Sequence, residues 1–140
     1  MKKWEEKLSS LPTDEAGRKK GNESSFTEII FLFMKEEIYT RLKSAKDSFP
    51  NSGLNIAIFP ASPEDISTTQ PIVYMTVQKP SNGNSNECSL KFNQQDAGLI
   101  IDTTLIGRHG LPPTHGCITL EGESPATLVE FYVKQLREQL

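Results

Sequence analysis

Residues 108–140 read RHGLPPTHGCITLEGESPATLVEFYVKQLREQL, and the order of parts in this stretch decides how the rest is read. A loop marked by Gly110, Pro112, Pro113 and Gly116 carries two histidines, His109 and His115. Cys117–Leu120 follows as a short apolar run, a strand or extended segment leaving that loop. Ser124 then stands at an N-cap position with Pro125 at the first helical position, and Glu121 and Glu123 lie near the positive end of the helix dipole. Leu128, Val129, Tyr132, Val133, Leu136 and Leu140 recur at helical steps and predict an inward stripe, with Lys134 and Arg137 towards the negative end.

Upstream, Phe26, Ile29, Ile30, Phe33, Met34, Ile38, Leu42, Ala45 and Phe49 predict a helix over about residues 24–48. Ser24 or Ser25 offers a cap, and Glu28 follows Ser25 at capping-box spacing. Phe31 and Leu32 widen the apolar stripe, and core packing explains them most simply. Pro50, Asn51, Ser52 and Gly53 end the helix. Between the two helices lie β-rich runs: Leu54–Phe59, Ile72–Gln78, Glu87–Phe92 and the less clear Leu99–Ile106. An Asn82-Gly83 pair marks a turn between the second and third. Alternation puts Cys88, Leu90 and Phe92 on one face, so Cys88 reads as a small core hydrophobe. The expected architecture is α+β: a helix, an antiparallel meander of about four strands, a cysteine-bearing active-site loop and a C-terminal helix. Residues 1–25 are polar and read as a loosely held, flexible arm, although Trp4, Leu8 and Leu11 fall at helical spacing. Residues 26–140 read as one domain, long enough for a single core.

The totals narrow the function. The chain of 140 residues has a formal net charge of −3, and its early lysines and arginines are interleaved with acids, so neither nucleic acid nor an anionic membrane is implied as a partner. Two cysteines do not make a secreted disulfide scaffold. No apolar run approaches the roughly 18–20 residues that span a bilayer, and no signal peptide is evident. A cytoplasmic location is expected.

Four chemistries remain open at the cysteine. His109, His115 and Cys117, with Asp102 or Cys88, supply ligand types for zinc, but their spacing matches no familiar ligand pair, so no metal or cofactor is expected. His115 lies two residues before Cys117, which on an extended strand puts both side chains on one face and permits thiol–imidazole chemistry. No protease signature surrounds it. Cys117 can also be a buried strand residue, as unpaired cysteines commonly are. The fourth reading comes from the arrangement as a whole.

A helix, a meander whose third strand ends in Phe92, a long irregular segment, a histidine loop, Cys117 and then Ser124-Pro125 opening a helix together resemble the ubiquitin-conjugating (UBC-like) fold. In that family the active cysteine begins a short apolar run, and a Ser-Pro soon afterwards starts the second helix; CITLEGESPATLVEFYVKQL holds those parts in that order. Upstream, TRLKSAKDSFPNSGLNIAIFPASPED is similar to the family's exit from its first helix. The family's His-Pro-Asn triplet has its counterpart in His109-Gly110-Leu111, without the asparagine. NQQDAGLIIDTTLIG replaces the family's proline-rich segment, Thr119 stands where the family has an aspartate, and the last two helices are missing. Such trimming is most similar to bacterial relatives found with ubiquitin-like proteins in phage-defence operons.

The resemblance implies a transferase. Cys117 would accept a ubiquitin-like protein as a thioester from an activating enzyme and pass it to an amine of a target protein. His115 would act as base, and Thr114, His115 or a backbone N–H near Gly116 would replace the missing asparagine as oxyanion donor. His109, Ser124 and Pro125 would frame the site. The same fold without activity gives the alternative, an RWD-like binding module that docks a ubiquitin-like protein or scaffolds a complex.

Overall fold

The computed structural model describes residues 2–49, 53–81, 84–107 and 112–139, apart from the side chains of 79–81 and 84–86. Its elements run α1 (Lys3–Ser10), α2 (Glu23–Phe33), a π-helical turn (Met34–Ile38), α3 (Tyr39–Ser48), β1 (Asn55–Phe59), β2 (Ile72–Ser81), β3 (Asn84–Gln95), β4 (Ile100–Ile106), β5 (Thr114–Thr119) and α4 (Pro125–Glu138). The strands form one antiparallel sheet in the order β1-β2-β3-β4-β5. The α+β class is as expected, but the meander has five strands rather than about four. Leu99–Ile106, the least clear of the four expected β runs, is β4, which pairs with β3 from Ser89↔Ile106 to Gln95↔Ile100. The cysteine lies on a fifth strand that starts earlier than the short run expected from Cys117, because Thr114–Thr119 pairs along β4.

Period-two alternation gives the sheet two unlike faces. Val73, Met75, Val77, Cys88, Leu90, Phe92, Ile101, Thr103, Leu105 and Ile118 point to one side and are at most 5 % exposed. The rod of α2, the π turn and α3 covers that side together with α4. Cys88 is 1 % exposed and sits in this core as its alternation predicts. The opposite face holds Phe59, Ile72, Tyr74, Lys91, Asn93, Asp102, Thr104, Ile106, His115 and Cys117, none of them buried. One wet face is an ordinary state for an antiparallel sheet.

The first long helix forms over the expected span, with two local differences. Its cap is Asn22, whose side chain accepts the Ser25 N–H at 2.8 Å, rather than Ser24 or Ser25. At Met34–Ile38 the helix widens into a π turn, which absorbs a phase step between the Ile30–Phe33–Met34 part of the stripe and its continuation in Ile38, Leu42 and Ala45. Met34 and Ile38 are both fully buried there.

The expectation of a loose arm over residues 1–25 gives way to docked structure. Helix α1 packs on α2, and Trp4, 6 % exposed, meets Phe33 edge-on with ring centroids 4.9 Å apart. Residues 13 and 19 form a β-bridge, and the Lys19 N–H donates to Glu121 at 3.2 Å. A large aromatic that can leave water outweighs the polarity of its neighbours.

Helix α4 begins at the expected Ser124-Pro125, yet Ser124 makes no side-chain cap bond. It takes a left-handed conformation (φ 49°), and its carbonyl accepts the Thr127 N–H at 3.0 Å. Val129, Val133 and Leu136 are buried as expected, Tyr132 is half-buried, and Leu128 is 37 % exposed, outside the inward stripe. Leu140, His109, the Asn82-Gly83 turn and residues 50–52 lie outside the described residues.

Candidate functional site

Register places Cys117 beside its neighbours. In β5, residues two apart share a face and residues an odd number apart do not. His115, Cys117 and Thr119 therefore project from the open face, while Thr114, Gly116 and Ile118 project towards the helices. The pairing β4·β5 sets Asp102 directly across from Cys117, and Thr104 across from His115. Directly opposed side chains start from Cβ atoms about 4.5–5.5 Å apart, so Asp102 and Cys117 are cross-strand neighbours on the open face. The same row continues through Asn93 on β3 to Ile72 on β2. Cys117 is exposed, as is His115. The possibility that Cys117 is a buried strand residue is thereby removed.

Behind the cysteine, the strand is held from the helix side. A Cβ built on Gly116 would stand 2.1 Å from Tyr132 Oη and 2.9 Å from Thr103 Oγ1, so the α4 tyrosine reaches the β5 backbone where a side chain would otherwise be. Ser124-Pro125 sets the start of α4, and thereby the position of Tyr132 two turns along it.

Of the residues singled out in the sequence, the fold brings Cys117 and His115 to one face and sends Thr114 to the other. Thr114 pairs with Leu105 and lies on the helix side of the sheet, on the face opposite to Cys117. His109 falls outside the described residues. No hydrogen bond joins the Cys117 and His115 side chains. Among the described residues, no three His, Cys, Asp or Glu side chains are grouped to hold a metal ion.

Asp102 is the residue that sequence reasoning undervalued, having been weighed only as a fourth zinc ligand. Its one available signal was an isolated acid within the apolar run LIIDTTLI; the cross-strand partner is a matter of register. Chemically, the trio offers an accessible thiol, an imidazole on the same strand face and a carboxylate opposite. The thiol stands on a broad surface, so a large substrate can reach it.

Comparison with protein-family models, curated proteins and solved structures gave no significant match. No helix among the described residues is long and apolar enough to cross a membrane.

Proposed function

We propose that the protein is a divergent ubiquitin-conjugating-like transferase that carries a ubiquitin-like protein as a thioester on Cys117. The observation that carries this reading is the exposed thiol on an open sheet face, beside His115 and directly opposed to Asp102. In the loading step the Cys117 thiolate attacks the thioester carbonyl at the carboxyl terminus of the ubiquitin-like protein, and the activating enzyme's thiolate leaves. In the transfer step a target amine attacks the new thioester, an amide forms, Cys117 leaves as thiolate, and the amine gives up a proton. Asp102 is the acceptor best placed for that proton. A carboxylate at this position can orient the incoming amine and take its proton, so it serves the second step. The cytoplasm is the compartment this chemistry suits, because a free thiol is kept reduced there.

The test uses a glycine thioester of a ubiquitin-like protein with a small thiol, mixed with the full chain. The expected product is a thiol-sensitive adduct on Cys117, unaffected by Cys88→Ala and replaced by a persistent ester in Cys117→Ser. Asp102→Asn should leave loading intact and slow transfer to free lysine by about a hundredfold, the low end of general-base effects. An adduct on Cys88, or none on any cysteine, sinks the proposal.

A second reading has its own support. The open face also carries a stacked Phe59–Tyr74 pair, with centroids 4.8 Å apart, and an exposed Ile72. These suit a module that docks a ubiquitin-like protein without chemistry. A complex that survives Cys117→Ala, with no adduct in the wild type, would favour it.

A further inference from the structure

The two edges of the sheet are finished differently. On β5 the helix-facing Ile118 is fully buried beneath α4. On β1 the helix-facing Ile56 and Ile58 are only half-buried, because α3 stops short of the edge and leaves a groove. Tyr39, Lys43, Lys46 and Asp47 form its helix wall, and Ser62 and Glu64 close one end. Strand β1 reads Asn-Ile-Ala-Ile-Phe and has neither a charge nor a proline, the features that usually blunt an edge against pairing.

From this edge we infer that two copies of the chain pair through β1, antiparallel about Ala57, to make one continuous ten-stranded sheet from two five-stranded ones. The strand is self-complementary in that register. Ile56 of one copy faces Ile58 of the other on the helix side, which fills both grooves with apolar side chains, and Ala57 faces Ala57 on the open side. A twofold, isologous contact of this kind closes on itself.

Charge follows the same symmetry. The Tyr39 hydroxyl donates to the Ala61 carbonyl at 2.8 Å, so the start of α3 lies at the end of β1, and its Lys46 end lies at the start of β1. Glu64 and Asp65 sit just beyond the end of β1. An antiparallel partner therefore brings its Glu64 and Asp65 towards Lys46. A parallel partner would set acid against acid and lysine against lysine. Both Cys117 thiols stay at the outer edges, free of the contact.

The test is sedimentation of the full chain over a dilution series, with two charge variants at the twofold position. Wild type should show a concentration-dependent dimer. Ala57 is half-exposed on the open face, so Ala57→Lys and Ala57→Asp should keep the fold, checked by circular dichroism. Each alone should weaken the dimer by about fivefold, since like charges meet directly across the axis. Mixed in equal amounts, the two should restore it. A wild type that stays monomeric overturns the inference, as does a strand-adding peptide or other protein taking the edge while the chain remains monomeric. Variants that dimerise as well as wild type, or a mixture that fails to recover, overturn it equally.

Discussion

Gly116 has no room for a side chain, because Tyr132 Oη occupies the space a Cβ would need. Neither α4 nor β5 can retreat without disturbing buried Val129, Val133 or Ile118. Gly116→Ala should therefore cost about 1–3 kcal/mol, the usual range for overpacking, as read by urea unfolding. Removing the hydroxyl with Tyr132→Phe in that background should return part of the loss; an unaltered midpoint for Gly116→Ala would refute the packing argument. Next to it, Thr103 is 1 % exposed and its hydroxyl has no hydrogen-bond partner among the described residues. Replacing that hydroxyl by a methyl in Thr103→Val should be neutral or stabilising by up to about 1 kcal/mol, because a buried polar atom without a partner carries a desolvation cost. At the cysteines, an exposed Cys117 and a Cys88 only 1 % exposed predict one fast alkylation in the folded chain, lost in Cys117→Ser. Equal labelling of both thiols would contradict the burial of Cys88.

Helix α1 depends on two neighbouring acids of the π turn. The Glu36 carboxylate accepts the backbone N–H groups of Lys3 and Trp4, at 3.2 and 3.1 Å, at the positive end of the α1 dipole. Glu37 is 3 % exposed and takes the Trp4 indole N–H at 3.3 Å, Lys2 Nζ at 2.6 Å and the Arg41 guanidinium. Burial alone pushes the Glu37 carboxyl upwards. The hydrogen bonds from Lys2 and Trp4, with the charges of Arg41 and Lys2, outweigh it and hold the group below its ordinary 4.5. With the folded value below the unfolded one, the stabilisation is complete above about pH 4.5 and is lost as pH falls through the lower folded value. Trp4 is the chain's single tryptophan, so its fluorescence reports this element directly. Acidification below pH 4.5 should shift Trp4 emission to the red before far-ultraviolet dichroism is lost, and Glu37→Gln should remove most of that early step. Coincident curves, unchanged by the substitution, would show that α1 has no latch of its own.

Across the whole molecule, protection should follow the sheet order. Strand β3 has a partner on each side and the helices beneath it, whereas β1 and β5 each have one partner. Hydrogen exchange should be slowest in β3 and faster at both edges, since local opening needs fewer contacts broken there. Pairing between copies adds a distinct signature: amides of β1 should slow as protein concentration rises, and those of β5 should not. A uniform profile at all concentrations would argue against both statements.

The amino-acid order determined the α+β class, the long helix over residues 24–48, the alternation that buries Cys88, Leu90 and Phe92, and the start of α4 at Ser124-Pro125. Each of these rests on periodicity or turn chemistry confined to a few neighbouring residues, which a single chain displays openly. Tertiary structure decided what depends on partners far apart in sequence. Trp4 is a core residue only because Phe33 and Glu37 come to meet it. LIIDTTLI reads as a β run of unclear role, and its place inside the sheet is set only when β3 and β5 take its hydrogen bonds. Thr114 is turned away from the cysteine by the alternation of a strand that extends back to it only through pairing with β4, and Asp102 is brought opposite Cys117 by a register that one residue of slip would undo. The thiol was legible in the sequence; the face it stands on and the carboxylate beside it were not, because strand pairing sets both.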